Sequence, residues 1–449
     1  MEESMTKLSV FGLGKLGCPM LAVFADSGYN VVGCDVNESF VNSVNQGIVP
    51  VDEPGVQELL ENNQGNFSAT SDVKLAVDQT QASFIIVPTP SGEDGFFIND
   101  YVVDAVAQIG TALRHKTEYH LVVVTSTVMP GSTEGIIKRA LEDASGRKVG
   151  PQLGLCYSPE FIALGTVVRD MQHPDIVLVG QSDEKAGDLL ESVMLKVVKS
   201  NPECHRMNFV CAELAKISIN TFVTTKISYA NMLAELCDAL PGADVEMVTT
   251  AIGGDTRIGK KYLKGAIGYG GPCFPRDNKA FSSLGRRLEV SVDLAEATDL
   301  INDHQVQRFV RLVRSHVRPG SCIAILGLSY KPDTSVSTES QSFGLAAALL
   351  QDYKILLSDP CCSWCQDLED LTSMGVSFQR DYVHVVPDAD AIIIMTPWRD
   401  YQGLSSTLAE HDKLSVTVID PWRVVAGASI IKNLLLPGKH CMVDALGTP

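Results

Sequence analysis

The sequence lacks the features that take a chain into a membrane or through a secretory route. No apolar run in its 449 residues reaches the roughly 18 residues that a membrane-spanning helix needs. The N-terminal stretch MEESMTKLSVFGLG is acidic and passes directly into a predicted strand, unlike a secretory signal peptide. We therefore expect a cytoplasmic protein without membrane partners.

An excess of positive charge is also missing, since the formal net charge is −18 at pH 7. This balance disfavours nucleic acid and anionic membranes as partners. An anionic small-molecule substrate would instead require basic residues concentrated in one place. The stretch from Arg257 to Lys264 contains four such residues, although a solvated surface would have the same composition.

A set of metal ligands is not evident. In a cytosolic chain, the twelve cysteines are expected to be reduced thiols. Cys361, Cys362 and Cys365 lie close together in sequence, but a zinc site needs about four ligands and no partner pair accompanies them. We therefore predict no metal site.

The start of the chain contains a dinucleotide-binding fingerprint. A predicted strand, Lys7–Phe11, runs into Gly12-Leu-Gly14-Lys-Leu-Gly17 and a helix, and a second predicted strand, Asn30–Cys34, ends at Asp35. In this motif the glycines provide a tight turn, close approach of a pyrophosphate and helix–strand packing. The acid at the second strand binds a ribose 2′-hydroxyl, which favours NAD over NADP. The alternative is a glycine-rich turn without a ligand.

Strands and helices continue to alternate up to Ile176–Gly180, which we predict to be the last strand of this first set. Three polar segments follow predicted strands: Pro88–Ser91, Thr125–Thr127 and Ser158–Glu160. Ligands bind beyond the carboxyl ends of strands in open parallel sheets. We expect these segments at a ligand-binding edge, although each alone could be a simple turn.

A change of pattern follows. Glu213–Cys237 contains neither glycine nor proline and is predicted to be a long helix, with Lys216 and Asn220 on one face. A second αβ set begins near Cys322. The predicted fold class is α/β, with two Rossmann-like parallel-sheet domains joined by a long central helix. The predicted domains are residues 1–205, a dinucleotide-binding Rossmann domain, residues 206–300, a helical domain that contains the cysteine loop, and residues 301–449, a second α/β domain.

The cysteine loop is the run from Gly265 to Asp277, with four glycines, two prolines and Cys273. Such a composition excludes a helix interior or a central strand and predicts a rigid loop. A cysteine presented on such a loop beside a cation is suited to act as a thiolate nucleophile. The alternative is a small buried side chain, the commoner use of a single cysteine.

Together these motifs resemble the UDP-glucose 6-dehydrogenase family of nucleotide-sugar dehydrogenases nearly end to end. The most specific parts are Gly268–Asp277, Ser158-Pro-Glu-Phe161, Glu213-Leu-Ala-Lys216 with Asn220, Arg257-Ile-Gly with Leu263-Lys264, and Asp420-Pro-Trp-Arg423. The resemblance implies a homodimeric, NAD-dependent enzyme that oxidises a nucleotide-sugar C6 hydroxymethyl to a carboxylate, most simply UDP-glucose to UDP-glucuronate. The four-electron oxidation would pass through a thiohemiacetal and a thioester on Cys273.

The resemblance also implies roles for individual residues. Lys216 would stabilise an oxyanion, Asn220 would hold that oxygen or a water, Asp277 would orient the lysine or a water, and Glu160 and Thr127 would move protons. The implied cofactor contacts are Gly12, Gly14, Leu16, Gly17, Asp35, Pro88, Thr89, Thr127 and Lys331. The implied substrate contacts are Phe161, Lys216, Asn220, Arg257 from the other subunit, Lys264, Tyr269, Gly270, Tyr330, Lys331 and Arg423.

The chain departs from the family pattern at Phe40, Leu164 and Thr338, where a basic residue, a glutamate and an arginine are usual. These departures leave the identity of the sugar and base open. One alternative is the same chemistry on GDP-mannose or another UDP-hexose. Others are a two-electron dehydrogenase of the 6-phosphogluconate type, which needs no Cys273, and an NAD-binding regulatory protein without activity.

Overall fold

The computed structural model of the chain describes residues 5–51 and 53–440. They divide into two compact units, with the boundary between Ser218 and Ile219. Each unit consists of a β-sheet with helices, and the boundary between the units falls within one long helix. This arrangement confirms the predicted α/β fold class. Within the described part of the chain, no helix combines the length and apolarity needed to cross a membrane.

In the N-terminal unit, the described strands form an eight-stranded sheet in the order β3-β2-β1-β4-β5-β6-β7-β8. All neighbours are parallel except β6 and β7, which are antiparallel. The strands are β1 (Lys7–Phe11), β2 (Asn30–Cys34), β3 (Phe67–Thr70), β4 (Ala82–Ile85), β5 (His120–Val124), β6 (Leu153–Tyr157), β7 (Ile176–Gln181) and β8 (Glu203–Met207).

The prediction that Ile176–Gly180 ends this set was wrong, because β8 follows and pairs with β7 in parallel. The sequence of β8 is Glu-Cys-His-Arg-Met, and none of its residues is fully buried. At the edge of the sheet a strand need not carry the apolar run that marks a central strand. Hydrophobic patterning therefore cannot detect it.

Helices cover both faces of this sheet and bury its apolar side chains. They are α1 (Gly17–Asp26), α2 (Glu38–Asn45), α3 (Val56–Asn62), α4 (Val73–Asp78), α5 (Asp100–Leu113), a π-helical turn (Thr133–Ile137) continuing into α6 (Lys138–Ser145), α7 (Val167–Gln172) and α8 (Glu184–Val197). The long helix α9 (Phe209–Ala239) has 31 residues.

In the C-terminal unit, the described strands form a six-stranded sheet in the order β11-β10-β9-β12-β13-β14, with every pair parallel. The strands are β9 (Cys322–Leu326), β10 (Lys354–Ser358), β11 (Ser377–Gln379), β12 (Ala391–Ile394), β13 (Thr417–Ile419) and β14 (Asn433–Leu435). The helices are α10 (Val245–Gly253), α11 (Phe274–Arg287), α12 (Asp293–His316), α13 (Gln341–Leu349), α14 (Gln366–Ser373) and α15 (Leu404–Glu410). Short 3₁₀ turns cover Tyr382–His384, Val386–Asp388 and Arg399–Gly403.

The predicted loop Gly265–Asp277 is shorter than expected, because α11 begins at Phe274. Pro275 does not prevent this, since the first turn of a helix needs no N–H donor there and tolerates proline. Asp277 also lies in the first turn, where an acid is favourable. The last four residues of the run are therefore helical, and Cys273 occupies the N-cap position.

Candidate active site

The glycine-rich turn of the N-terminal unit uses each of its three glycines differently. Gly12 has φ of 96°, and a Cβ atom there would lie 2.5 Å from the Ile86 carbonyl oxygen. A Cβ atom on Gly17 would lie 1.7 Å from the Gly12 carbonyl oxygen. On Gly14 it would meet no heavy atom of the described chain within 4 Å. The space beside Gly14 is where a pyrophosphate would need to approach the backbone.

Asp35 supports the turn from the end of β2. Its carboxylate accepts hydrogen bonds from the backbone N–H of Leu13 at 2.6 Å and of Asn37 at 2.8 Å. The side chain is only partly buried, so it keeps capacity for a further donor. Leu16 packs against the core beside the start of α1. An open glycine, a helix N-terminus and an accessible acid fit the pyrophosphate and ribose of NAD.

The segments that follow β4 and β5 are bonded to one another. The buried Thr89 hydroxyl donates to the Thr127 carbonyl oxygen at 2.7 Å. The Ser126 hydroxyl accepts from the Val87 N–H at 2.9 Å and donates to the Val87 carbonyl oxygen at 2.7 Å. Pro88 is exposed between them. The structure thus brings Pro88, Thr89 and Thr127 together at the carboxyl edge of the sheet.

Lys216 is held beside the segment that follows β6. Its side chain is 7% exposed, and its Nζ donates to the Glu160 carbonyl oxygen at 2.5 Å. The same Nζ lies 4.5 Å from the centre of the Phe161 ring. Burial raises the pKa of the Glu160 carboxyl to about 7, while the Lys216 charge opposes that shift. A carboxyl group with such a pKa can accept and return a proton near neutral pH.

Two buried glutamates position these segments, and sequence reasoning assigned neither a role. Glu213 accepts from the backbone N–H of Gly131 at 2.5 Å and of Thr133 at 2.7 Å. Glu53 accepts from the N–H of Gly165 and of Val167, both at 2.9 Å. Each carboxylate replaces a local cap at the start of a helix. Glu213 is three residues from Lys216, so its anchor also fixes that turn of α9.

In the C-terminal unit, two buried asparagines hold the backbone of the cysteine loop. Asn231 accepts from the Ala266 N–H at 2.9 Å and donates to the Ile267 carbonyl oxygen at 2.8 Å. Asn302 accepts from the Tyr269 N–H at 2.7 Å and donates to its carbonyl oxygen at 3.1 Å. Such paired amide contacts satisfy a loop that lacks strand partners. Sequence reasoning missed both asparagines, because their partners are more than thirty residues away.

Glycines in this loop allow another segment to pack on it. A Cβ atom on Gly270 would lie 2.4 Å from the Glu339 carbonyl oxygen, and one on Gly271 would lie 2.6 Å from the Tyr330 ring. The Gly271 N–H donates to the Thr338 carbonyl oxygen at 2.8 Å. The segment 330–340 therefore supports the loop immediately before Cys273.

Cys273 is exposed and occupies the N-cap position of α11. The positive end of the helix dipole lies there, which favours an anion. Four residues on, Asp277 is 1% exposed and accepts from Asn220 Nδ2 at 2.6 Å. Its other oxygen pairs with Arg276 at 2.9 Å. Asp277 thus fixes the amide of Asn220, one helical turn along α9 from Lys216.

Tyr269 is buried in the loop, and its hydroxyl donates to Asp299 at 2.6 Å. The backbone N–H and carbonyl oxygen of Tyr269 both bond Asn302, so the contacts of Tyr269 anchor the loop.

Two further predicted substrate residues are basic. Lys331 places its Nζ 6.0 Å from the centre of the Tyr330 ring. Arg257 has a side chain that is 87% exposed and pairs with Asp255 at 2.6 Å.

A cavity of about 260 Å³ in the C-terminal unit brings together two predicted substrate residues, Lys264 and Arg423. Lys264 Nζ donates to the Trp422 carbonyl oxygen at 3.1 Å. Arg423 has φ of 63°, rare for a residue with a side chain, and donates to Asp244 at 3.2 Å. Lys260 also lines the cavity. The positive charges of these three side chains make the cavity suitable for a phosphate group.

The three departures from the family pattern lie in two kinds of environment. Leu164 and Phe40 are partly buried and pack against the apolar core of the N-terminal unit. Thr338 is exposed, and its backbone carbonyl is the group that contacts Gly271. Among the residues that the structure describes, no cluster of three or more His, Cys, Asp or Glu side chains could hold a metal ion.

These features are those of an oxidoreductase that uses a dinucleotide cofactor and an anionic substrate. They are a dinucleotide-binding turn, a cysteine at a helix N-terminus and a basic cavity. Models of the UDP-glucose/GDP-mannose dehydrogenase family match three parts of the chain. The NAD-binding domain matches residues 6–198, the central domain 211–304 and the UDP-binding domain 324–427. The chain belongs to this family and is an NAD-dependent enzyme of the UDP-glucose 6-dehydrogenase type.

Individual relatives agree with this assignment. A UDP-glucose 6-dehydrogenase, AglM, of Haloferax volcanii is 33% identical over 425 residues, covering 93% of this chain and 97% of the relative. A GDP-mannose 6-dehydrogenase of Azotobacter vinelandii is 30% identical, covering 86% and 91%. The solved UDP-glucose dehydrogenase of Pyrobaculum islandicum superposes with a TM-score of 0.86 at 32% identity, covering 98% of this chain and 99% of that one. The predicted family and the NAD cofactor are thereby confirmed.

Proposed function

We propose that the protein oxidises the C6 hydroxymethyl group of UDP-glucose to the carboxylate of UDP-glucuronate. The observation that carries this proposal is Cys273, which is exposed at the N-terminus of α11 on a loop whose backbone is held by Asn231 and Asn302. A rigidly presented thiol can trap an aldehyde as a covalent adduct. A two-electron alcohol dehydrogenase does not need such a thiol. The identity of the nucleotide sugar rests on the UDP-glucose relatives and on the Cys-Phe-Pro-Arg-Asp form of the loop.

In this mechanism the chain supplies proton movement, covalent trapping and charge stabilisation. The chemistry that NAD supplies when bound is the acceptance of a hydride, first from the alcohol and then from the trapped aldehyde. Glu160, whose pKa is raised to about 7 by burial, takes up the alcohol proton. The Cys273 sulfur adds to the aldehyde carbon and forms a thiohemiacetal, which the second oxidation converts to a thioester.

Hydrolysis of the thioester completes the reaction. Water adds to the acyl carbon, the carbon–sulfur bond breaks, and the Cys273 thiolate leaves. Lys216 stabilises the oxyanion, and its position is fixed by the Glu160 carbonyl and the Phe161 ring. Asn220, held by Asp277, orients the oxygen or the attacking water. Thr127 assists the proton transfers at the edge of the first sheet.

The basic cavity of the C-terminal unit is proposed to bind the diphosphate of the substrate through Lys264 and Arg423. Arg423 is held by Asp244, which fixes its guanidinium before a ligand arrives. Lys331 and Tyr330 contact the ligand from the segment that supports the cysteine loop, and Gly270 contributes backbone. The proposed domains remain 1–205, 206–300 and 301–449.

The long helix is proposed to form the centre of a two-fold homodimer. Large apolar side chains recur on one of its faces at intervals of three, four and seven residues, and they are exposed by 64% at Phe222, 46% at Tyr229, 37% at Met232 and 52% at Leu236. Leu240, just beyond the helix, continues the row at 56% exposure. A face of this kind needs an apolar partner. Arg257, highly exposed, would reach the substrate of the second subunit.

A panel of UDP-glucose, UDP-galactose, UDP-N-acetylhexosamines and GDP-mannose tests the function. We expect NAD⁺ reduction with UDP-glucose, and a product whose mass is that of the uronate. The Lys264→Ala variant should raise KM for the nucleotide sugar without changing that for NAD⁺. Turnover of GDP-mannose in preference to UDP-glucose would transfer the proposal to that sugar. Light scattering that showed an active monomer would remove the dimer.

A further inference from the structure

Cys362 and Cys365 lie outside the catalytic machinery, yet their thiols converge on one hydroxyl group. The Ser337 hydroxyl donates to Cys365 Sγ at 3.4 Å. It also hydrogen-bonds Cys362, where this contact lowers the pKa of a thiol that burial raises to about 12. Two sulfurs that both contact one hydroxyl group are neighbours in space. Their spacing, Cys-Ser-Trp-Cys, is that of a dithiol pair.

The surroundings give the two thiols different properties. Cys362 is 1% exposed, and its backbone N–H is fixed by the Asp359 carboxylate at 2.6 Å. Cys365 is partly exposed and is the N-cap of α14. An external reagent can therefore reach Cys365 first. The buried Cys362 is the resolving thiol.

The hydroxyl that joins these thiols belongs to the segment that supports the cysteine loop. Ser335 accepts from the Ser363 N–H at 2.9 Å on one side of this segment. On the other side, Thr338 accepts from the Gly271 N–H at 2.8 Å, two residues before Cys273. A change at the dithiol is thus connected to the loop through residues 335–338.

We propose that Cys362 and Cys365 form a reversible disulfide by exchange with a low-molecular-weight disulfide, and that its formation loosens residues 335–338. The Cys365 thiolate attacks the external disulfide, forms a mixed disulfide and releases one thiol. The Cys362 thiol then attacks the Cys365 sulfur, its proton passes to the departing thiolate, and the second thiol is released. One external disulfide is reduced to two thiols, which take up the two protons that Cys362 and Cys365 lose, and the protein gains one sulfur–sulfur bond. Ser337 then loses its thiol acceptors.

The test begins with chemistry that needs no substrate, so it is independent of the proposed function. The reduced full-length protein is incubated with oxidised glutathione, blocked with N-ethylmaleimide and mapped by peptide mass. We expect a disulfide between Cys362 and Cys365, reversed by dithiothreitol. The matched control, Cys361→Ser, should form it equally. Cys362→Ser should stop at the mixed disulfide on Cys365, and Cys365→Ser should form neither.

The link to the loop is tested by hydrogen exchange on the same samples. We expect exchange in residues 330–340 to become several-fold faster after oxidation of the wild type and of Cys361→Ser, but not of Cys365→Ser. Trp364, between the two cysteines and 62% exposed, should report the bond by reversible fluorescence quenching. The proposed disulfide site would be contradicted by a disulfide to Cys361. It would also be contradicted if glutathione stayed on Cys365 of the wild type and no disulfide to Cys362 formed. Formation of the Cys362–Cys365 disulfide without a change in hydrogen exchange of residues 330–340 would contradict the connection between the dithiol and the cysteine loop.

Discussion

The two units contain the same turn at the end of their first strand, put to different uses. Gly12 has φ of 96° and its N–H donates to the Cys34 carbonyl oxygen at 2.8 Å. Gly327 has φ of 98° and its N–H donates to the Ser358 carbonyl oxygen at 2.7 Å. In each unit the glycine that follows the first strand is thus bonded to the last residue of the second strand.

The acids that follow the second strands match as well. Asp35 accepts from the Leu13 N–H at 2.6 Å, and Asp359 accepts from the Leu328 N–H at 2.7 Å. In the N-terminal unit α1 then begins at Gly17, close to the turn. In the C-terminal unit α13 begins only at Gln341, after the segment that supports the cysteine loop. Only the first turn keeps a helix N-terminus beside it for a pyrophosphate.

The two acids differ most in burial. Asp35 is partly exposed, whereas Asp359 is fully buried. Further donors to Asp359 are the N–H groups of Ser329, Cys361 and Cys362, the Ser329 hydroxyl and the Trp398 indole. The first acid is available to a ligand, and the second organises three loops of its own unit. A shared backbone motif therefore does not by itself define a cofactor site.

The largest expected effect tests whether the loop carried by the C-terminal unit performs chemistry or only binds. Cys273→Ser should lose steady-state turnover by several orders of magnitude, because serine is a far poorer nucleophile and leaving group. It should still bind both ligands and release aldehyde or accumulate an acyl-enzyme. The measurement is kcat with two-electron and four-electron products counted separately. Cys211→Ser, another exposed cysteine, is the control, and normal carboxylate formation by Cys273→Ser would contradict the account.

The next effect sharpens the contrast between the two acids. Asp359→Ala should lower the free energy of unfolding by about 4 kcal/mol, because several buried donors lose their acceptor. Asp35→Ala should cost about 1 kcal/mol, since its backbone donors are near solvent. Urea unfolding followed by far-ultraviolet circular dichroism, to which both units contribute, would compare them. Equal losses for the two variants would remove the distinction between a scaffold acid and a ligand acid.

Glu160 is a third acid, and it is partly buried beside Lys216. Because its pKa is raised from 4.5 to about 7, the folded protein favours the protonated form. That contribution to stability is complete below about pH 4.5 and is lost as pH rises through 7, by at most about 3 kcal/mol. Glu160→Gln should therefore show a flatter stability profile between pH 5 and 8. Parallel profiles for wild type and variant would contradict this.

The smallest effect concerns cofactor choice. Asp35 should repel a 2′-phosphate, so NAD⁺ should be preferred over NADP⁺ by at least about tenfold in kcat/KM, or about 1.4 kcal/mol. Asp35→Ser should reduce that ratio while leaving KM for the nucleotide sugar unchanged. Initial rates with both cofactors provide the measurement. Equal wild-type kcat/KM for the two cofactors would show that Asp35 does not read the ribose.

The sequence predicts the central strands well, because they are continuous buried apolar runs. The bounds of β1 and β2 were predicted without error. Edge strands such as β8 were missed, since half-exposed polar residues carry no such pattern. The start of α11 was also missed, because glycine and proline indicate a loop without showing where a following helix begins.

In the candidate site, too, some residues are predictable from the local sequence and others are not. Motif residues such as Gly12, Asp35 and Cys273 are identified by local spacing. The residues that hold them, among them Glu53, Glu213, Asn231 and Asn302, bond to segments far away in sequence. Nothing local distinguishes a buried asparagine that anchors a loop from one on a helix surface. Their roles follow only from the fold.

The most direct test of the central claim is the number of NADH molecules formed for each UDP-glucose consumed. The reaction is run to completion with limiting sugar, excess NAD⁺ and mass analysis of the product. We predict two NADH and a uronate, because the aldehyde is held on Cys273 and oxidised again before release. One NADH with an aldehyde or keto product would contradict it and indicate a two-electron dehydrogenase.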